Sequence, residues 1–573
     1  MDGPLVHALL ELDSAGWGPL AFGAPREVIE ARTLAEVVPV LRAAEGAARA
    51  GRWAIGFVAY EAAPAFDAAL RVRPGTGPLA WFGLHDAPLP VPAPRPADAR
   101  LAGAAPELDA AVHAEAVQAI RQGVAAGAVY QVNFTFRLGG RMEGDPLDLH
   151  HRLRGAQGSG DSAYVRTGDR AVASASPELF LLRQGDRVTS RPMKGTARRG
   201  RFLAEDERVR LALAASEKDR AENVMIADLL RNDLGRVAVT GSVHAGPLLE
   251  VERLRTVWQL TSTVSARLRP GVDLAELFAA TFPCGSVTGA PKVAAMRFVA
   301  DLERSPRGVY CGAVGAIAPG GDACFNVAIR TAEVDLATGE ATYGTGGGIT
   351  WDSEPAAEWD EALAKTRVLE TTPGTPTLLE TMRLEDGRVA LLEGHLLRLA
   401  GSARYHAIPL DLAALRERIG AESGDARLRL LLDPGGEVVL ERMPLPAPVE
   451  GPVPVALSGD PVDRRDAALF HKTTRREPYD RRRATRPHAF DVLLLNREGE
   501  LTEGTFTNVV ADLDGERVTP PLDAGLLPGV FRAGLLARGE VRERTLRPGD
   551  LVRARRFWLV NALRGWIEAR LVP

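Results

Sequence analysis

Three carboxylates, one lysine and several glycine-rich turns between residues 174 and 365 are of types that can do chemistry together. In KDRAENVMIADLLRNDLGRV, Lys218 to Val237, apolar residues recur at helical spacing and Gly235 supplies a stop, so Glu222 should project from a helix. In EPAAEWDEALAK, Pro355 sits near a helix start, and Glu358 and Glu361 lie three residues apart, which puts both on one face. Carboxylates from two helices can hold a hard cation through oxygen, and magnesium commonly sits between such groups and an anionic substrate. Taken singly, each acid reads as part of a solvated helix face. Lys194, in RPMKGTARRGR, is a different kind of candidate. A neutral lysine is a good nucleophile, and burial or cationic neighbours such as Arg191 and Arg198 would depress its pKa. Gly346 and Gly348, in GTGGGITWD, offer backbone N–H groups to an anion or simply make a tight turn.

The elements that must position these groups fall into an ordered pattern. Residues 1–85 alternate short apolar strands with helical patterns, and DAPLPVPAPRPADARLAGAAPELD, Asp86 to Asp109, is rich in Pro and Ala as a surface connection would be. Residues 110–370 mix strand-like runs with amphipathic helices and read as a large α+β body. A second break, TTPGTPT from Thr371 to Thr377, precedes the strand-like LLETMRLEDGRVAL. The main domain boundary is expected there, leaving residues 376–573 as a smaller unit. The basic run TTRREPYDRRRATRP reads as a short solvated loop.

Composition narrows the function classes. The chain has 573 residues, 46% hydrophobic and 25% charged, with a net charge of -4, so nothing electrostatic invites nucleic acid. It is long enough for two catalytic bodies. No apolar run is long enough to span a bilayer, and the first residues lack the basic start and apolar centre of a signal peptide, so a cytoplasmic location is expected. Cys284, Cys311 and Cys324 show no CxxC spacing and suggest neither a disulfide framework nor a zinc site.

Seven motifs occur in order: SASPELF, RPMKGTARRGR, the Lys218 to Val237 segment, TFPCGSVTGAPKVAAM, GVYCGAVGAI, FNVAIRT and GTGGGITWDSEPAAEWDEALAK. Together they resemble the chorismate-utilising family, which includes anthranilate, isochorismate, salicylate and aminodeoxychorismate synthases. The resemblance implies an anthranilate-synthase-like α/β sandwich, with a weaker match over residues 1–85. It implies that Glu178 is the general acid and that Glu222, Glu358 and Glu361 are magnesium ligands. Ser286, Tyr310, Arg330, Gly346 and Gly348 would hold substrate carboxylates. Lys194 occupies the KGT position at which anthranilate synthases usually carry Ala and aminodeoxychorismate synthases carry Lys. Gln259 stands where many relatives have a His tied to pyruvate elimination. None of the three cysteines lies in a GxCxG elbow, so ammonia would come from a separate glutamine amidotransferase subunit.

The C-terminal motifs HLLRL, LFHKTT, LTEGTFTNVVAD, LLPGVFRAGLL and FWLVNALRGW resemble, in order, the fold-type IV pyridoxal-phosphate enzymes. This implies a smaller α+β domain in which Arg398 holds the cofactor phosphate and Lys472 carries the cofactor. Glu503 would pair with the pyridine nitrogen, and Asn508 would support its strand. Gly529 and Val530 would present helix-start N–H groups to the phosphate. Phe531 replaces a frequent Thr and Ala562 a frequent Ser. Relatives are usually dimers, so a homodimer through this domain is implied.

The expected whole is a bifunctional enzyme making 4-aminobenzoate, a folate precursor, from chorismate through 4-amino-4-deoxychorismate. Three alternatives stay open: a C-terminal aminotransferase, a non-catalytic docking domain, and an anthranilate synthase.

Overall fold

The computed structural model describes residues 5–92, 99–158, 161–370 and 374–572. The backbone divides into two compact units. One is built from residues up to Arg198 and from Arg210–Gly374, and the other from Arg199–Val209 and the chain from Thr375 onward. Three residues of the expected boundary, 371–373, lie outside the described residues, as do 93–98 of the expected linker.

The first unit is a sandwich of two antiparallel sheets. Its strands alternate in the way a doubly covered sheet requires. In Trp53–Val58, Ile55 and Phe57 enter the layer between the sheets, where they meet Leu10, Phe22, Val165 and Val314. Ala54 and Val58 face the other way, into the core with Val37, Leu41 and Ala44 of the helix Leu34–Arg49. That helix begins with a capping box, Thr33 with Glu36.

Residues 5–85 do not close on themselves. Ala8–Leu12 pairs with Asp161–Arg166, and Trp53–Val58 pairs with Ala313–Ile317. Within the expected linker, Arg100–Pro106 is a strand paired with Gln131–Glu143, because that long partner offers backbone groups along its far edge. Toward one end of one sheet, Gln131–Glu143 pairs with the glycine-rich strand Glu340–Ile349.

In the second unit, Leu378–Glu385 and Ala426–Leu432 pair antiparallel and turn Met382, Leu384, Leu428 and Leu430 onto Leu396 and Leu399 of the helix Leu392–His406. Leu430→Ala would leave a cavity there costing about 2–5 kcal/mol. A mixed sheet follows, in which Val453–Leu457 lies parallel to both Asp491–Leu495 and Gly565–Leu571. No helix among the described residues is long and apolar enough to cross a membrane.

Candidate active sites

A cavity of about 140 Å3 in the first unit is lined by every residue that the sequence nominates there: Glu178, Lys194, Glu222, Ser286, Tyr310, Arg330, Gly346, Gly348, Glu358 and Glu361. Its floor is the strand Glu340–Ile349, and the absence of side chains along GTGGG is a steric requirement. A Cβ on Gly344 would stand 2.3 Å from the Tyr310 ring, and one on Gly348 would stand 2.1 Å from Gln131 Nε2 and 2.8 Å from Lys194 Nζ. A Cβ on Gly347 would press on Glu358 Oε2 at 3.3 Å. Bare backbone is what lets Tyr310 and Lys194 approach one face of the strand, at Gly344 and Gly348, and Glu358 the other, at Gly347.

Lys194 sits on Met193–Arg198, whose neighbour Val257–Thr261 carries Gln259. Gln259 accepts from Thr196 at 2.9 Å and donates to Gly195 O at 3.0 Å, so it braces the lysine strand at the two residues that follow Lys194. Desolvation lowers the Lys194 pKa, Glu222 opposes that shift, and Lys365 adds to it. The cationic neighbour is therefore Lys365. Arg191 is engaged with Glu252 at 3.4 Å, and Arg198 is exposed. Opposite charge and burial pull Lys194 in different directions, and burial prevails.

Glu178 is 2% exposed, and desolvation pushes its carboxyl up to about 7. Ser286 and the Cys284 thiol, 3.8 Å from Oε1, face it. Its backbone N–H donates to Ser176 at 3.1 Å. An acid with a pKa near 7 holds a transferable proton at neutral pH.

Glu222 projects from Glu217–Gly235, and Glu358 and Glu361 project from Pro355–Thr366, as the spacing requires. Burial raises the pKa of Glu222 and Glu358, whereas Lys365, 2.7 Å away, lowers that of Glu361. Arg330 holds a left-handed backbone at φ 52, a strained conformation for a non-glycine residue, and its guanidinium donates to Lys365 O. Tyr310 follows a turn gripped by two acids. Glu61 accepts from the N–H groups of Arg307 and Gly308 at 2.7 and 2.9 Å, and Glu333 accepts from Val309 N at 2.9 Å.

The sequence reading missed Lys365 and Gln131. Lys365 lies four residues after Glu361, a helical spacing that could have revealed it. Both amide atoms of Gln131 are buried beside Lys194 with no hydrogen-bond partner among the described residues, and no local signal marked this residue.

A second cavity, of about 400 Å3, lies in the second unit and is lined by Arg398, Lys472, Glu503, Asn508, Gly529 and Val530. Lys472 is anchored through its carbonyl, which accepts from Leu379 N at 2.8 Å. Desolvation, aided by Arg398, lowers its amine to about 8. Arg398 is clamped by buried Glu380, with contacts of 2.8 and 2.6 Å, and donates to Pro528 O at 3.2 Å. Burial alone would raise the pKa of Glu380, yet Arg398 and His395 hold it far below the carboxylate range.

Burial pushes Glu503 up to about 8; Tyr479 Oη contacts it at 3.1 Å and Asn508 at 3.5 Å. Phe531 turns away from the cavity onto Trp566, so its replacement of Thr puts no bulk into the phosphate position. Ala562 lines the wall.

With this geometry in hand, residues 86–371 match the family of chorismate binding enzymes, and residues 377–572 match amino-transferase class IV. Residues 86–371 are thus a domain of the first family and residues 377–572 a domain of the second. An aminodeoxychorismate synthase of Streptomyces pristinaespiralis is 44% identical over 308 residues, 51% of this chain and 42% of that protein. Anthranilate synthase component 1 of Streptomyces coelicolor is 40% identical over 301 residues, 52% of this chain and 58% of that one. The chain thus spans about half the length of the curated relatives it matches. The crystal structure of anthranilate synthase component I from Streptococcus pneumoniae is 25% identical, with a TM-score of 0.52, covering 65% of this chain and 91% of that one.

Class IV amino-transferase domains use pyridoxal phosphate, and chorismate-binding enzymes take magnesium. The residues present fit both. A lysine of lowered pKa, a buried acid for a ring nitrogen, a clamped arginine and the start of the helix Val530–Ala537 surround one cavity. For magnesium, no three acidic, His or Cys side chains among the described residues converge into a closed cluster. An ion that keeps waters and takes substrate oxygens needs no closed cage, and Glu222, Glu358 and Glu361 face one cavity.

Proposed function

We propose that the first unit aminates chorismate at C4 to give 4-amino-4-deoxychorismate, and that the second removes pyruvate from that product to leave 4-aminobenzoate. The observation that carries the reading is Lys194, a desolvated lysine in the same cavity as a buried acid of pKa about 7. An alanine there, as anthranilate synthases usually have, could not act as a nucleophile.

In the first cavity, neutral Lys194 attacks C2 of chorismate, the ring double bond shifts, and the C4–O bond breaks. Glu178 delivers its proton to the departing C4 oxygen, so water leaves and hydroxide does not. Ammonia adds at C4, the double bond shifts back, and Lys194 is expelled from C2. Arg330, Tyr310 and the N–H groups of Gly346 and Gly348 hold the carboxylates during both displacements. Magnesium, held by Glu222, Glu358 and Glu361, would neutralise the ring carboxylate. The ammonia comes from a separate glutaminase subunit.

In the second cavity, pyridoxal phosphate supplies an electron sink when bound. Glu503 would pair with its ring nitrogen, and Arg398 with the N–H groups at Gly529 and Val530 would hold its phosphate. Lys472 moves the C4 proton of the substrate as the enolpyruvyl C–O bond breaks and the ring becomes aromatic.

A Lys472→Ala variant supplied with chorismate, magnesium and ammonium tests the order of the two halves. It should accumulate 4-amino-4-deoxychorismate and release no pyruvate. Unchanged 4-aminobenzoate output from this variant would refute the assignment of the second unit.

A further inference from the structure

The basic run after Lys472 is largely exposed, as its composition suggests, but it forms a helix over Glu477–Ala484 and part of it faces a cavity. Arg475, Arg476 and Arg483 line the cavity that contains Lys472 and Glu503. Arg476 precedes the helix Glu477–Ala484, and Arg483 lies near its end, seven residues on and roughly 10 Å along the axis.

The arginines of this segment divide into two sets. Arg481 and Arg482 both pair with Asp460, at 3.2 and 3.0 Å. Arg476 and Arg483 have no ion pair with a carboxylate among the described residues. Arg476 donates to Thr505 O and stacks over the Tyr479 ring, 4.9 Å from its centroid. Arg483 stacks over Phe506 at 4.9 Å and donates to Phe490 O at 3.5 Å. Aromatic faces and carbonyls fix the direction of each guanidinium without neutralising it.

Other charges in the cavity do not cancel them. Glu503 is the one carboxylate among the lining residues, and it is already assigned to the cofactor ring nitrogen. Arg398 is already clamped by Glu380 and assigned to the phosphate. Uncompensated guanidinium groups at a cavity wall are offset by anions brought in with a ligand, and the planar fork of arginine suits a carboxylate.

We propose that Arg476 and Arg483 are the substrate-carboxylate residues of the second cavity, and that they select an amine bearing two carboxylates over a monocarboxylate amino acid. This rests on the lyase reading and deepens it. Arg476, beside Tyr479 and Glu503, takes the carboxylate nearer the reacting centre, and Arg483 takes the second. An amino acid with one carboxylate and an apolar side chain would leave one guanidinium unmatched, which disfavours it. The second unit thereby has a reason of its own to accept 4-amino-4-deoxychorismate, independent of the domain to which it is joined.

The test gives the full-length holoenzyme 4-amino-4-deoxychorismate in magnesium-free buffer containing a chelator and follows pyruvate release. Arg476→Met and Arg483→Met should each raise KM about tenfold to a hundredfold, the scale of a lost charge-assisted hydrogen bond. The visible absorbance of the bound cofactor should stay as in the unaltered protein. Arg476→Lys should recover part of the loss, and Arg481→Met should leave KM unchanged. The unaltered KM should rise with ionic strength, and that rise should flatten in both Met variants. A KM within twofold of the unaltered value in both Met variants overturns the proposal while leaving the lyase reading intact. An unaltered holoenzyme that releases no pyruvate, but transfers the amino group of a monocarboxylate amino acid such as leucine, overturns both.

Discussion

Replacing Glu178 by Gln removes a proton donor while keeping the volume and the contacts to Ser286 and Cys284. Burial raises this carboxyl from its ordinary 4.5 to about 7. At pH 7 the acid form is then populated about one half of the time, against roughly 0.3% without the shift, a gain of about 150-fold. A positioned general acid contributes about 10^2- to 10^4-fold, so Glu178→Gln should lower kcat/KM for chorismate amination by at least about a hundredfold. The assay is single-product chromatography with saturating ammonium, from about pH 5.5 to 8.5. Because the donor is the protonated form and the nucleophile is neutral Lys194, unaltered kcat/KM should show an ionisation near pH 7 from Glu178 that opposes the rising limb of Lys194, and the variant should be low and keep the rising limb alone. Loss of less than tenfold in the variant, or an opposing ionisation near pH 7 that survives in it, would refute the role given to Glu178.

Three further outcomes follow from named contacts. Gly348→Ala puts a methyl group 2.8 Å from Lys194 Nζ and 2.1 Å from Gln131 Nε2, so amination should collapse while pyruvate release from supplied 4-amino-4-deoxychorismate stays unchanged. Loading of pyridoxal phosphate into the apoprotein requires neutral Lys472, whose pKa is lowered to about 8, so the loading rate followed by absorbance should climb with pH and level off above about 8. Arg307 is 2% exposed, pairs with Glu303 at 2.6 Å, and also donates to Val287 O and Asn133 O at 2.7 Å. Arg307→Met strands a buried carboxylate and should cost about 3–5 kcal/mol in denaturant unfolding of the first unit.

The first cavity was legible because its residues sit in motifs whose spacing is local. Glu358 and Glu361 share a helix face by their three-residue offset, and the glycines around Gly346 mark a strand that other groups must approach closely. What escaped depends on pairing between distant segments. Gln131 becomes part of the site only because Gln131–Glu143 lies beside Glu340–Ile349. Arg100–Pro106 becomes a strand only because that same neighbour completes its hydrogen bonds.

Charge was the least legible property. Arg191 and Arg198 are nearest to Lys194 in sequence, but the cation that acts on it, Lys365, comes from a helix 171 residues later. The Arg-rich segment after Lys472 has a polar composition, and its direction into a cavity is set by Tyr479, Thr505 and Phe506. Composition carries no information about that direction.

The central claim is that one chain performs both steps. Its most direct test is to incubate the purified holoenzyme with chorismate, magnesium and ammonium, with no added lyase, and identify the aromatic product and its partner in stoichiometry. The proposed function predicts 4-aminobenzoate and pyruvate in equal amounts. Anthranilate would contradict the role of Lys194, and 4-amino-4-deoxychorismate that accumulates without pyruvate would contradict the role of the second cavity.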